Sequence, residues 1–224
     1  MTTFNKHFKT FLNLFLQSNC PLCQRPSNSE FCPSCIKQLQ KCQLNDPLLL
    51  PQEQMPVFAW GSYGGILKRA LAVLKYNNCP EVARPLGQWL GEYWLQKSLI
   101  VTKNLVVVPI PLHPSKQKTR GFNQAELIAK SFCETTGFKL KAKGLQRVRE
   151  TQAQHSLSVK ERQNNLADAF ELGQELQCHS NVSVLLIDDI YTTGVTARSA
   201  ATTLFNSKIT VIGLAATAAG IKSR

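Results

Sequence analysis

The segment 184–196 constrains the fold of this chain more than any other stretch. It reads VLLIDDIYTTGVT: a continuously apolar run, two adjacent acids, and a turn with threonines and a glycine, and a predicted helix over 196–206 follows it. A run that is apolar at every position is typical of a strand buried on both faces. A strand that leads through a short turn into a helix is one βα unit of a parallel sheet. The segment therefore predicts an α/β fold.

The same alternation recurs along the chain. Apolar residues three and four apart predict helices, short apolar runs predict strands, and Gly137 is placed to end one helix in the left-handed conformation. The predicted helices are 66–75, 82–96, 122–136 and 196–206, and the predicted strands are 105–110, 182–187 and 209–215. Nearly continuous apolar strands between helices indicate a parallel sheet covered on both faces.

Length and composition limit what else the chain contains. Its 224 residues allow one full α/β domain and a small module, and 43% hydrophobic with 18% charged residues argues against wholesale disorder. No stretch of 18 uncharged apolar residues is present, which excludes a membrane-spanning helix. The first twenty residues lack the pattern of a secretory signal, so we expect a cytoplasmic protein.

Two closely spaced cysteine pairs mark the N-terminal part. They are Cys20-Pro-Leu-Cys23 and Cys32-Pro-Ser-Cys35, and together they supply the four sulfurs of a tetrahedral zinc site. Such a metal would stabilise a segment too short to fold by hydrophobic burial alone. A pair of disulfides is the alternative, which a reducing cytosol disfavours. Cys42 is a further possible ligand, although a lone cysteine is more often an unliganded thiol.

These features divide the chain into three parts. Phenylalanines and a leucine at helical spacing predict a helix over 4–15, which together with the cysteine pairs makes residues 1–42 an N-terminal helix and zinc-binding module. Residues 43–56 contain three prolines and no clear period, so they are interpreted as a linker. Residues 57–224 then form the α/β domain.

The net charge of +12 is concentrated in the middle of the chain. Residues 103–162 hold twelve basic residues against four acids, whereas residues 163–224 are close to neutral. An excess of this kind attracts phosphate-bearing partners. A solvated surface, a nucleic-acid groove and a pocket for a small polyphosphate all fit the composition.

The strongest candidate site lies at the acid pair and the turn that follows. Asp188 and Asp189 repel each other at a buried strand end, a cost that is offset where they meet donors such as vicinal sugar hydroxyls, or a metal. The following Thr-Thr-Gly-Val-Thr offers hydroxyls and main-chain N–H groups before a helix, which suits a phosphate dianion. An ordinary βα turn capped by a threonine is the structural alternative, and it leaves the acid pair unexplained.

The spacing of these groups indicates a compact ligand. In dinucleotide-binding folds the acid that binds ribose lies about 20 residues after the glycine loop, whereas here the acids come immediately before the turn. The GK[ST] sequence of a P-loop is missing. Sugar hydroxyls and phosphate therefore belong to one ribose 5-phosphate.

This segment closely resembles the phosphoribosyl pyrophosphate (PRPP) signature of type I phosphoribosyltransferases. Two further stretches, VVVPIPLHPSKQKTRGFNQAELIA at 106–129 and RVRETQAQHSLSVKERQNNLADAF at 147–170, together with the cysteine pairs, resemble the ComF/GntX family, whose members are linked to bacterial DNA uptake. The resemblance covers nearly the whole chain. It implies a parallel-sheet, type I phosphoribosyltransferase-like domain preceded by a small four-cysteine zinc-binding module.

The resemblance also implies roles for individual residues. Asp188 and Asp189 would bind the ribose hydroxyls, and the 5-phosphate would be held by Thr192, Thr193, Gly194, Val195 and Thr196. Arg120 and Gly121 belong to a loop similar to the one on the pyrophosphate side, with Mg²⁺ bridging pyrophosphate and ribose. Residues 147–162 take the place of a mobile loop whose Arg147, Arg149, Lys160 and Arg162 could neutralise the departing pyrophosphate. Solvated loop charge is the alternative for these cations, and Lys75, Tyr76, His113 and His155 are weaker candidates.

Two functions remain open at this stage. The chain is either a transferase that ejects pyrophosphate from PRPP and passes ribose 5-phosphate to an unknown acceptor, or a non-catalytic accessory factor of transformation that binds PRPP and single-stranded DNA and works with competence proteins. Glutamine-dependent amination is disfavoured, because the chain begins Met1-Thr2-Thr3 rather than with an exposed cysteine nucleophile. A third cysteine pair seen in many relatives is reduced here to Cys42, which makes a second zinc doubtful.

Overall fold

The structure is a computed structural model that describes residues 18–49, 55–98, 102, 104–149, 169–177 and 182–220. The strands, in chain order, are β1 Ser18–Asn19, β2 Pro26–Ser27, β3 Leu48–Leu49, β4 Val57–Ser62, β5 Leu105–Pro109, β6 Lys139–Leu140, β7 Leu145–Arg147, β8 Phe170–Leu172, β9 Ser183–Tyr191 and β10 Thr210–Ala219. The α-helices are α1 Pro33–Gln40, α2 Gly65–Tyr76, α3 Ala83–Lys97, α4 Pro114–Arg120, α5 Gln124–Thr136 and α6 Val195–Asn206, and a 3₁₀ turn spans Pro80–Val82. The predicted helix over 4–15 lies outside the described residues.

The predicted α/β fold with a parallel sheet is confirmed. Six strands form one sheet in the order β3-β4-β10-β9-β5-β6. Strands β4, β10, β9, β5 and β6 are parallel, and only β3 is antiparallel to its neighbour. Because the carboxyl ends of parallel strands share one edge, the turns after β4, β5 and β9 meet there.

Both faces of the sheet are covered, as the apolar strands predict. On one face, Leu185 and Ile187 of β9 pack in a cluster with leucines of α2 and α3 and with Phe132 of α5. On the other face, Val184 and Leu186 pack against α6 and against the antiparallel pair of strands β7 and β8. The central strand is therefore held rigidly from both sides, and so are the residues at its carboxyl end.

Two predicted strand ends need correction. The sequence places the end of β9 at Ile187, before the acids, whereas the strand continues to Tyr191. Strand β10 also continues past its predicted end at residue 215, to Ala219. Asp188 is paired with Ala216 of β10, and Tyr191 is paired with Ala219. The run of small residues at the end of β10 lets the ladder of hydrogen bonds continue. The acids therefore lie within the last few residues of β9 rather than after the strand.

The first half of the segment interpreted as a linker runs along the edge of the sheet. The Leu44 N–H donates to the Trp60 carbonyl at 2.9 Å, and the Ala59 N–H donates to the Pro47 carbonyl at 2.9 Å. Strand β3 then pairs with β4. These bonds protect the β4 edge, which a parallel sheet would otherwise leave open.

Among the residues that the structure describes, no helix has the length and apolarity that crossing a bilayer requires.

Candidate functional site

The acid pair occupies the carboxyl end of β9. Asp188 is half-buried, and one of its oxygens, Oδ1, accepts the Asp189 N–H at 2.8 Å. Asp189 is only 4% exposed. Burial, and then the adjacent Asp189 carboxylate, raise the pKa of Asp188 well above its ordinary value of 3.8. A carboxyl group in this position gains from hydrogen-bond donors, such as sugar hydroxyls, or from a cation.

Asp189 is stabilised by an ion pair that comes from a distant part of the chain. Its Oδ2 pairs with Nζ of Lys75, the penultimate residue of α2. A carboxylate this deeply buried needs such a partner, because desolvation of an unpaired charge is strongly unfavourable. The ion pair makes Lys75 part of the site, although the sequence pattern offered it only as a weak candidate.

The turn after β9 exposes main-chain donors. Within the described part of the chain, the N–H groups of residues 193–197 donate no hydrogen bond, and the first N–H of α6 that does so is Arg198, to the Gly194 carbonyl at 2.9 Å. The side chains of Thr192 and Thr193 are exposed. Free N–H groups at a helix N-terminus form an anion-binding arrangement.

Gly194 is required by the geometry of this turn. Its φ of 71° lies in the left-handed region that favours glycine. A Cβ at this position would meet Tyr191 Oη at 2.7 Å and Arg198 Nη1 at 2.9 Å. The phenol and the guanidinium therefore lie against the turn, so Arg198 adds a positive charge beside the free N–H groups. No sequence signal singled out Arg198.

A cleft of about 630 Å³ opens between the end of α2 and α4. It is lined by Lys75, Tyr76, Asn78, Ser115, Lys116, Thr119 and Arg120. Arg120 lies with its guanidinium carbon 5.7 Å from the centre of the Tyr76 ring and donates to Gln124 Oε1. Gly121, with a φ of 85°, ends α4. Arg120 and the acid pair thus lie at the same edge of the sheet and are linked through Lys75.

His113 has a structural role in this loop. Its Nδ1 accepts the Ser115 N–H at 3.3 Å and lies 2.9 Å from Ser115 Oγ, so the ring caps the first turn of α4. Such a cap fixes the start of the helix that carries Arg120.

The described cations of the predicted mobile loop lie elsewhere. Arg147 is in β7, with its guanidinium carbon 5.4 Å from the centre of the Phe170 ring, and it lines a separate cavity of about 440 Å³ beside Pro111 and Leu112. Arg149 is exposed just beyond β7. Arg162, Lys160 and His155 fall outside the described residues. The structure therefore does not place Arg147 in the cleft that Lys75 and Arg120 line.

The four cysteines of the two pairs converge on one point. Among the described residues they form the one group suited to a metal ion, and their Sγ atoms all lie within 4.8 Å of one another. Four sulfurs bound at about 2.3 Å around a tetrahedral zinc lie about 3.8 Å apart, and the Cys23 and Cys32 sulfurs are separated by 3.5 Å. This cluster is compatible with structural zinc.

The pKa values of two thiols in this cluster shift in opposite directions. A hydrogen bond from the Arg25 main chain lowers the pKa of Cys23 to about 6, whereas burial raises the pKa of Cys35 above its ordinary value. A bound metal would displace the proton of Cys35, because thiolates are the ligands. Cys42 is not a member of the cluster, and its Sγ donates to the Gln38 carbonyl at 3.7 Å.

The cysteine module is packed tightly onto the α/β domain. Phe31 stacks on Trp89 with ring centres 6.2 Å apart, and Trp89 stacks on Trp60 at 5.4 Å. Arg84 pairs with Glu30 at 2.7 Å, and an Arg69 N–H donates to the Leu22 carbonyl at 2.8 Å. The module and the helices α2 and α3 therefore share one core.

Comparison with curated proteins finds relatives along most of the chain. "DNA utilization protein YhgH" of Salmonella typhi is 28% identical over 196 residues, which cover 85% of this chain and 79% of that protein. "Competence protein ComFC" of Bacillus subtilis is 27% identical over 186 residues, covering 81% and 69%. "Competence protein F" of Haemophilus influenzae is 29% identical over 193 residues, covering 82% and 83%. These relatives confirm the resemblance to ComF-type proteins, while no family model matched the chain.

Among the similar solved structures are two enzymes named for PRPP or for phosphoribosyl transfer. The glutamine PRPP amidotransferase from B. subtilis is 19% identical with a TM-score of 0.40, and this chain spans about a quarter of it, 26%, with 61% of its own residues. Adenine phosphoribosyltransferase from Leishmania donovani is 15% identical with a TM-score of 0.38, covering 82% of this chain and 66% of that one. At these scores the fold class follows from the sheet topology rather than from the superpositions.

Proposed function

We propose that the chain binds PRPP with Mg²⁺ at the carboxyl end of β9 and serves the handling of DNA taken up by the cell. The observation that carries this proposal is the row of N–H groups at residues 193–197 that have no acceptor within the described part of the chain, in the turn that begins a few residues after the two aspartates. The groups that would bind a phosphate and those that would bind sugar hydroxyls lie within one short segment. A ribose 5-phosphate requires both kinds of group at this short distance.

The 5-phosphate would be bound by the turn. Thr192, Thr193 and Thr196 supply hydroxyls, and Gly194 and Val195 supply main-chain N–H groups. Arg198 lies against the same turn and adds a charge that favours a dianion. Tyr191 Oη and Arg198 Nη1 lie close to where a Cβ at Gly194 would be, so the phosphate would meet these two groups together with the main chain of the turn.

The ribose would be bound by the acids. Vicinal hydroxyls donating to Asp188 and Asp189 supply the donors that this crowded pair needs, and such bonds to a charged group are strong. The two adjacent aspartates would also attract a nearby Mg²⁺. When bound, this ion would neutralise charge on the phosphates of the ligand. The protein's own contribution is to fix both carboxylates at the end of β9, with Asp189 almost fully buried and Asp188 half-buried.

The pyrophosphate would lie toward the α2–α4 cleft. Lys75, Lys116 and Arg120 make this cleft positively charged, and Ser115 and Thr119 add hydroxyls. Arg120 and Gly121, at the end of α4, belong to the loop that would face the pyrophosphate. For transfer, Arg147 at the end of β7, Arg149 just beyond it and Arg162 further along the chain are proposed to neutralise the pyrophosphate as the bond to the sugar breaks.

The cellular role follows the names of the relatives. Proteins named for competence and DNA utilization cover most of this chain, so we place its role in DNA uptake, in the cytoplasm and with competence proteins as partners. The second candidate is an accessory factor that binds PRPP without turnover and holds single-stranded DNA. The exposed Tyr76 ring beside Lys116 and Arg120 favours it, because aromatic and basic groups together bind single strands. The proposal keeps the division of the chain into a zinc-binding module at 1–42, a linker at 43–56 and the α/β domain at 57–224.

Calorimetric titration with PRPP tests the proposal. We expect saturable binding of one PRPP per chain that strengthens when Mg²⁺ is added, because the metal neutralises the ligand's phosphates. Pyrophosphate release in the presence of candidate bases or oligonucleotides would identify a transferase, and binding without release would identify the accessory factor. A lack of saturable binding in Mg²⁺ rejects both forms of the proposal.

A further inference from the structure

Lys75 lies at the boundary between two parts of the proposed site. Its Nζ pairs with Asp189 Oδ2, and the two side chains are only 18% and 5% exposed. The same lysine lines the α2–α4 cleft. One ammonium group therefore faces a buried carboxylate on one side and an open, positively charged cleft on the other.

The position of Lys75 is fixed by its helix. Leu67, Leu71 and Leu74 of α2 are fully buried in the core that also contains Leu185 and Ile187 of β9. This packing places the next residue, Lys75, at the carboxyl end of β9. Lys75 therefore reaches Asp189 without the freedom of a surface lysine.

The far side of the cleft offers two more cations. Lys116 and Arg120 extend from α4, and Arg120 is already held by Gln124 and by the Tyr76 ring. An ammonium group has three N–H donors, so pairing with Asp189 leaves donors for a group in the cleft. An anion that enters the cleft is thus attracted toward Lys75 as well.

We propose that Lys75 is shared between Asp189 and a diphosphate-type anion in the cleft, so that filling the cleft alters how Asp189 holds the sugar. This inference rests on the proposed function, since it assigns the sugar to Asp189 and the pyrophosphate to the cleft. A bound pyrophosphate draws the ammonium toward itself, and Asp189 then accepts hydrogen bonds from the sugar more strongly. Lys75 is a positioning residue that couples the two halves of the site.

The test measures this coupling with the two halves of the ligand. Ribose 5-phosphate is titrated into the full chain with and without saturating pyrophosphate, in the absence of added Mg²⁺. In the wild type we expect pyrophosphate to tighten ribose 5-phosphate binding about fivefold or more. Lys75→Met is expected to remove this effect and to weaken PRPP binding about tenfold to a hundredfold. Lys75→Arg, which keeps the charge, is expected to retain part of the coupling.

Lys116→Met is the matched control, because Lys116 lines the same cleft on the opposite wall. We expect it to weaken pyrophosphate binding but to keep the coupling once pyrophosphate is saturating. Coupling that survives in Lys75→Met, or that is lost equally in both variants, overturns the inference while wild-type PRPP binding still supports the proposed function. If the wild type binds no PRPP, the proposed function itself is wrong and the inference falls with it.

Lys75→Met leaves Asp189 without its partner and risks unfolding. The double variant Lys75→Met with Asp189→Asn removes both charges and leaves no unpaired carboxylate at this position. It is expected to fold, with a melting temperature near that of the wild type, and to show no coupling between pyrophosphate and ribose 5-phosphate. Coupling of wild-type size in this variant contradicts the role of Lys75.

Discussion

Asp188→Asn is expected to weaken the binding of PRPP with Mg²⁺ by about a hundredfold, the size of two lost hydrogen bonds to a charged group. The Asp188 carboxylate is half-buried at the end of β9. The nearby cation, Lys75, is paired with Asp189 and not with Asp188. An amide keeps the size of the side chain but loses the charge that strengthens bonds from sugar hydroxyls. Calorimetric titration of both proteins at the same Mg²⁺ concentration measures the loss.

The same substitution should not destabilise the fold, and above about pH 4 it should stabilise it. The folded protein raises the pKa of Asp188 above 3.8, because of burial and the Asp189 carboxylate. Between that value and the raised pKa the folded state holds a proton that the unfolded state has lost, so the free energy of unfolding falls as pH rises. Asparagine has no such proton. The melting temperature of Asp188→Asn should therefore gain on the wild type as pH increases from about 4.

Glu171→Gln serves as the control, because Glu171 is an exposed carboxylate on β8, in the two-stranded sheet with β7 rather than in the parallel sheet. This substitution should leave the affinity for PRPP unchanged. The difference between its melting temperature and that of the wild type should stay constant as pH increases. PRPP affinity in Asp188→Asn that equals the wild-type value would remove Asp188 from the site.

Cys35→Ser is expected to abolish stoichiometric zinc and to lower the melting temperature by more than about 10 °C, since loss of a structural metal removes several kcal/mol. The Cys35 thiol is buried with Phe31 and Leu39 in the core that also holds Trp60 and Leu67. Loss of the metal therefore exposes part of the main core rather than a detached module. Metal analysis and thermal unfolding of the purified protein measure both effects.

Cys42→Ser is the matched variant for this experiment. Cys42 lies seven residues further along the chain, outside the four-sulfur cluster, with its thiol on the Gln38 carbonyl. We expect it to retain about one zinc per chain and a nearly unchanged melting temperature. Loss of zinc from Cys42→Ser, or full zinc content in Cys35→Ser, would show that the metal is bound by a different set of ligands.

Local sequence patterns predict much of this fold because they act over a few residues. Helical periods predicted four of the six described α-helices to within about two residues at each end, but not α1 or α4. Gly137 ends α5 with a φ of 76°, as its position predicted. The acids and the turn are brought together because they are adjacent in sequence. The cysteine cluster forms for a similar reason, since each pair closes its own short loop.

Features that depend on distant parts of the chain were not predictable in this way. The partner of Asp189 comes from α2, and nothing near Lys75 in the sequence marks it as different from the other lysines. Strand β4, next to β10 in the sheet, was not predicted, and residues interpreted as linker pair along its edge. Arg147 resembles a mobile-loop residue by order in the chain, yet β7 holds it against Phe170.

The comparison of ribose 5-phosphate with 2-deoxyribose 5-phosphate tests the central claim most directly, because the two compounds differ only in one hydroxyl. If the acid pair and the turn bind one sugar phosphate, the deoxy compound should bind about tenfold more weakly or worse, since a buried carboxylate then loses a donor. Both compounds should still compete with PRPP through the phosphate. Equal affinities would show that the aspartates do not bind the hydroxyl by which the two compounds differ, and would contradict the account.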